Sequence, residues 1–87
     1  MKINYHQVFE KHFEKLSLST QQKVLEAIIT FEKDPFDPRL KNHALRGRMN
    51  GRRSFSVGGD LRIIFEEYDK YVLVIMFDVG THNQVYK

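Results

Sequence analysis

The chain has 87 residues, no cysteine, 41% apolar and 13% aromatic residues, and a formal charge of +3. That length suits one domain, 1–87, with a modest core, and the lack of cysteine excludes both a disulfide framework and a thiolate metal site. No apolar run approaches a membrane span or a secretory leader, so a cytoplasmic protein without membrane contact is expected.

Residues 2–5, with Ile3 and Tyr5 in alternation, read as a short edge strand. From 6 to 16, Phe9, Phe13 and Leu16 recur at helical spacing among charged residues, which predicts an amphipathic helix. After a break at Ser17-Leu18, Ser19-Thr20-Gln21-Gln22 reads as a capping box opening a second helix over 20–33. Val24, Ala27, Ile28 and Phe31 form its apolar stripe. The short connection implies an antiparallel helical hairpin. Pro35 and Pro38 end the helical period, since each disfavours helical geometry in the residue before it.

Beyond Pro38 the apolar period becomes two. Phe55 and Val57 alternate with serines, and Leu61, Ile63 and Phe65 follow after Gly58-Gly59. A one-residue slip would exchange the two faces of the hairpin. The pattern therefore predicts a three-residue loop, 58–60, with Phe55 opposite Ile63 and Ser56 opposite Arg62. Residues 72–77 are apolar at both parities, as expected of a central strand covered on both sides. Residues 79–82 break that strand, and 83–87 read as a closing strand or extended tail. The expected fold class is α+β: two layers, with an N-terminal strand and a helical hairpin packed on one face of an antiparallel sheet. The other face is left free for function.

Charge is distributed unevenly. Arg39, Lys41, Arg46, Arg48, Arg52, Arg53 and Arg62 stand against one carboxylate, Asp60, so residues 39–62 carry +6 and the remainder −3. Arginine grips phosphate with a planar fork, so this band points to a polyanionic partner. Charge on an edge strand also deters aggregation, but lysine is the commoner agent there.

Four residues carry possible chemistry. His43 by itself reads as a solvent-exposed loop histidine beside the arginine band. His82, just past the strand of residues 72–77, is either loop decoration or a proton carrier, and imidazole suits general acid or base work near neutrality. Asp60 fits ordinary turn chemistry in Gly-Gly-Asp, with Arg62 two residues on. Tyr86 is a packing aromatic or a ring against which a base stacks. His6 and His12 read as surface residues. No histidine–carboxylate spacing suits a metal, so none is expected.

In combination, His43-Ala-Leu-Arg-Gly47, Asn50-Gly51-Arg52-Arg53-Ser54-Phe55-Ser56-Val57, Asp60-Leu-Arg62-Ile-Ile-Phe65 and Gly80-Thr-His82-Asn-Gln-Val-Tyr86 resemble the RelE/ParE superfamily of bacterial toxins. The likeness is greatest to its YafQ branch of messenger-RNA interferases. It implies His43, Asp60, Arg62, His82 and Tyr86 as site residues, with Arg62 on the scissile phosphate. Arg39, Lys41, Arg46, Arg48, Arg52 and Arg53 would then hold RNA. The sequence departs from that pattern at Ser56, where the branch has another histidine, and at Leu61, where it has an aromatic.

The resemblance further implies a toxin of a type II toxin–antitoxin system that cuts translated messenger on the ribosome by attack of the RNA 2′-hydroxyl, without metal or cofactor. Its partners would be the ribosome, messenger RNA and a cognate antitoxin. Two other readings remain open at this point: a ParE-like inhibitor of DNA gyrase, and a non-catalytic RNA-binding module.

Overall fold

The computed structural model describes residues 1–86. Strand β1 (Lys2–Tyr5) leads into helices α1 (Gln7–Glu14) and α2 (Leu18–Lys33). Four strands follow, β2 (His43–Ala44), β3 (Arg53–Gly58), β4 (Leu61–Tyr68) and β5 (Leu73–Thr81), then a short helix α3 (His82–Val85). They form one five-stranded sheet in the order β1-β5-β4-β3-β2. The α+β layering is the expected one. Because β1 pairs parallel to β5 while the other pairs are antiparallel, the sheet is mixed rather than purely antiparallel.

The helical hairpin supplies one wall of the core. Val24, Ala27, Ile28 and Phe31 of α2 and Phe9 of α1 are buried against Phe55, Ile63, Phe65, Val74, Met76 and Val79. Phe31 stacks on Phe55 at 4.7 Å between ring centroids and meets Phe65 edge-on at 4.9 Å. Burying an aromatic side chain of this kind stabilises the fold by about 1.5–3 kcal/mol. The 3.6-residue stripe and the two-residue alternation thus meet in one apolar layer.

Several local expectations are corrected. α2 begins at Leu18, two residues earlier than the Ser19 capping box required, with Ser17 as cap: its Oγ accepts from the Thr20 N–H at 3.2 Å. The Gln21 amide donates to the Phe13 carbonyl at 2.9 Å, tying the end of α1 to the start of α2.

The β3–β4 register is the predicted one, Phe55 opposite Ile63 and Ser56 opposite Arg62. The loop is not three residues long, however. Gly58 pairs with Leu61 across the two-residue turn Gly59-Asp60, and a bulge at Val57 absorbs the extra residue. Gly58 (φ 146°) and Gly59 (φ 52°) supply backbone conformations that side-chain-bearing residues rarely adopt.

β5 starts at Leu73, extends to Thr81, and lies second in the sheet, with β4 in the middle. It is not covered on both sides along its length. Val74, Met76 and Val79 are buried toward the helices, whereas Leu73, Ile75 and Phe77 are half-buried. The expected closing strand or extended tail is also replaced over its described residues. Residues 82–85 form α3, and Lys87 lies outside the described residues.

Candidate active site

The site depends on how the chain leaves β5. Thr81 caps α3, its Oγ1 accepting from the Gln84 N–H at 3.3 Å while the Gln84 Oε1 accepts from the Thr81 N–H at 2.8 Å. This reciprocal capping box satisfies two otherwise free donors at the helix start. The His82 N–H donates to the Asp60 carbonyl at 3.0 Å, fastening α3 to the β3–β4 turn. Val85 and Ile64 are both buried here, although Ile64 sits opposite in parity to the core residues Ile63 and Phe65.

Gly80 makes this return possible. A Cβ there would lie 2.8 Å from Gln84 Oε1, 3.2 Å from Gln84 Cβ and 3.3 Å from Val85 Cγ1. Moving Gln84 aside would break the capping box. Gly80→Ala is therefore expected to destabilise the fold by about 1–3 kcal/mol and to displace His82 and Tyr86. Thermal unfolding run beside an activity assay checks it; a variant of unchanged stability and activity would mean that α3 gives way freely.

The folded-back α3 completes an open depression of about 410 Å³ lined by His43, Leu45, Arg62, His82 and Tyr86. His43 lies on β2, paired with Ser54, rather than on the loop that sequence suggested. Its Nδ1 is 2.8 Å from the Lys41 carbonyl. A carbonyl only accepts, so Nδ1 carries the proton, and in the neutral ring Nε2 holds a free lone pair.

On β4, one terminal nitrogen of Arg62 donates to the Gly59 carbonyl (2.9 Å), the Leu61 carbonyl (3.1 Å) and Ser56 Oγ (3.3 Å). One arm of the guanidinium fork is thus anchored. The His82 and Tyr86 rings meet edge-on at 4.5 Å. The Tyr86 hydroxyl donates to Ser54 Oγ at 2.6 Å, and Ser54 is fully buried.

Asp60 does not line this depression; its contribution to it is the main-chain bond to His82. Of the two departures from the family pattern, Ser56 supports Arg62 and Leu61 packs at the edge of the core.

The arginine band divides by partner. Arg46 and Arg48 border the depression's neighbour beside Tyr86. Lys41 is exposed, and its carbonyl orients His43. Arg39 is clasped by Asp37 through two side-chain bonds of 3.0 and 2.8 Å, and that contact holds the Asp37 carboxyl down to about 2. Arg52 lies 3.7 Å over the Phe77 ring with its Nε on Glu66 at 3.1 Å. Arg53 donates to Asn42 at 2.9 Å. Arg52 and Arg53 thus sit in internal ion-pair, stacking and amide contacts, which a count of charges along the sequence does not reveal.

Ser54, Leu45, Gly80 and Gln84 were not identified as site residues from sequence. A usable signal existed for Gln84, because Thr81-His82-Asn83-Gln84 has capping-box spacing. No equivalent signal marks Ser54, whose partner is 32 residues away.

Comparison with known proteins follows the same lines. The family model described as the bacterial toxin of type II toxin–antitoxin system, YafQ, matches residues 1–87. A copper-bound mutant toxin from Helicobacter pylori is 28% identical, with a TM-score of 0.79 and 99% of each chain covered. The toxin in the DinJ–YafQ toxin–antitoxin complex of E. coli is 26% identical, with a TM-score of 0.74, covering 99% of this chain and 97% of that one. A YoeB/ParE toxin from Agrobacterium tumefaciens, 18% identical with a TM-score of 0.77 over 94% and 99% of the two chains, shares the fold. A comparison with curated proteins found no significant match. The chain belongs to the YafQ family of toxins of bacterial type II toxin–antitoxin systems.

Proposed function

We propose that this toxin is a ribosome-dependent endoribonuclease that cuts translated messenger RNA through its 2′-hydroxyl. The observation that carries the proposal is the convergence of His43, Arg62 and His82, from three separate strands and helices, on one open depression. Two imidazoles and a guanidinium with one anchored arm line the same space, and a binding poison of DNA gyrase has no need of such a set.

The chemistry follows from these positions. In the neutral ring, with Nδ1–H held by the Lys41 carbonyl, His43 Nε2 takes the proton from the 2′-oxygen. The 2′-oxygen bonds to the adjacent phosphorus, and the bond from phosphorus to the 5′-oxygen breaks. Protonated His82 gives its proton to that leaving oxygen. Arg62 neutralises the charge that builds on the phosphorane between these events. The products are a 2′,3′-cyclic phosphate and a 5′-hydroxyl. Tyr86 braces His82 and offers a ring for stacking. Asp60 acts as a positioning residue through its carbonyl.

The toxin would act in the cytoplasm, restrained by a cognate antitoxin, as YafQ is paired with DinJ in the E. coli complex. An acidic, partly disordered segment that folds on binding would complement the basic surface.

Mapping transcript ends after brief induction tests the reading. In-frame cuts bearing 2′,3′-cyclic phosphate are expected, and a 2′-deoxy substitution at the cut site should abolish them. A DNA-damage response without cuts would instead indicate gyrase, and neither response a non-catalytic RNA-binding module.

A further inference from the structure

Beside the depression holding Arg62 and His82 lies a second, of about 420 Å³, lined by Leu45, Arg46, Arg48, Met49 and Tyr86. Leu45 and Tyr86 belong to both, so the two spaces share a wall. The segment shaping the second space is firmly held. The Leu45 N–H donates to the Arg52 carbonyl and the Arg52 N–H to the Met49 carbonyl, each at 2.9 Å. The Arg52 guanidinium, fixed by Phe77 and Glu66, also reaches Met49 Sδ at 3.7 Å. Met49 is half-buried and its sulfur is anchored, whereas Arg46 and Arg48 are exposed and enter no salt bridge among the described residues.

We infer that this second depression is a nucleotide subsite, holding the base and phosphate of one of the two nucleotides that flank the scissile bond. The inference rests on the RNA-cutting reading above. Its walls suit that ligand. Leu45, the polarizable thioether of Met49 and the Tyr86 ring offer apolar and aromatic surface to a base. Two uncommitted guanidinium forks match the phosphate attached to it. Because Tyr86 lines both spaces, an RNA strand with its scissile phosphate at Arg62 places the adjoining nucleotide here. Arg52 acts as a strut that positions Met49. The base preference of cutting at one flanking position then originates at Met49 and Leu45, away from the proton-transfer groups.

The test is the base distribution on each side of the cuts in a codon-randomised transcript, translated in the presence of wild type, Met49→Ala or Met49→Leu. Met49→Ala is expected to flatten the preference at one flanking position on the order of tenfold, the effect of losing a stacking surface. Met49→Leu should retain most of it. Wild-type preference at both positions in Met49→Ala would overturn the subsite. Absence of cuts by the wild type would overturn the RNA-cutting reading and the subsite with it, so the two failures are distinguishable.

Should Met49→Ala not fold, the exposed Arg48 supplies a second arm. Binding is measured to a single-stranded RNA oligonucleotide that carries a 2′-deoxy block. For Arg48→Gln the salt slope should fall by about 0.7 per lost phosphate contact, and an unchanged slope would likewise overturn the subsite.

Discussion

Replacing Arg62 by Ala is expected to reduce RNA cleavage by about 10³-fold, the effect of removing one preorganised charge-stabilising donor from a transition state. The side chain is well placed for that role because its own freedom is already spent. Bonds to Gly59, Leu61 and Ser56 fix one arm of the fork. Little reorganisation is then required when the phosphorane forms. Arg62→Lys should recover only part of the loss, since an ammonium supplies charge without the planar fork. The variant should still fold, because β4 keeps Ile63, Ile64 and Phe65 buried. Initial rates on programmed ribosomes, taken with thermal unfolding, check the expectation. Cleavage within a fewfold of wild type in folded Arg62→Ala would move the charge-neutralising role to another cation.

His82→Gln is expected to lower cleavage by about 10²–10⁴, the usual worth of a positioned proton donor, and to abolish growth inhibition. The glutamine side chain is polar and of similar reach, but it does not deliver a proton to the leaving 5′-oxygen. Folding and antitoxin binding should survive. The His82 ring is exposed and meets Tyr86 edge-on, while α3 is held by Thr81, Gln84 and Val85. An RNA with a better leaving group at the 5′-oxygen, such as a 5′-bridging phosphorothiolate, provides a discriminating readout. A thiolate leaves without general acid assistance, so the variant should regain most of its rate on this substrate. If it stayed equally impaired there, His82 would be serving another function than general acid.

The residue pattern alone dictates the layering and the faces. Apolar residues at helical spacing up to Phe31, then at alternating positions from Phe55, admit few arrangements besides a helical hairpin on a sheet. Only one register puts Phe55 beside Ile63 without burying Arg62, and that register forms. These features are legible because each is set by neighbours within a few residues. The site residues His43, Arg62, His82 and Tyr86 were nominated by resemblance, and the fold gathers them around one depression.

The remaining features involve partners distant along the chain. β1 finds β5 some 70 residues on. Arg52 is claimed by Phe77 and Glu66, and Tyr86 by Ser54, pairings that exist only once the strands are in register. Residues 82–85 are too few to show a helical period, so α3 was missed although its capping box was present in the sequence. Its position depends on Gly80, where the absence of a side chain lets a helix lie against the sheet, a requirement set by atoms that become neighbours only after folding.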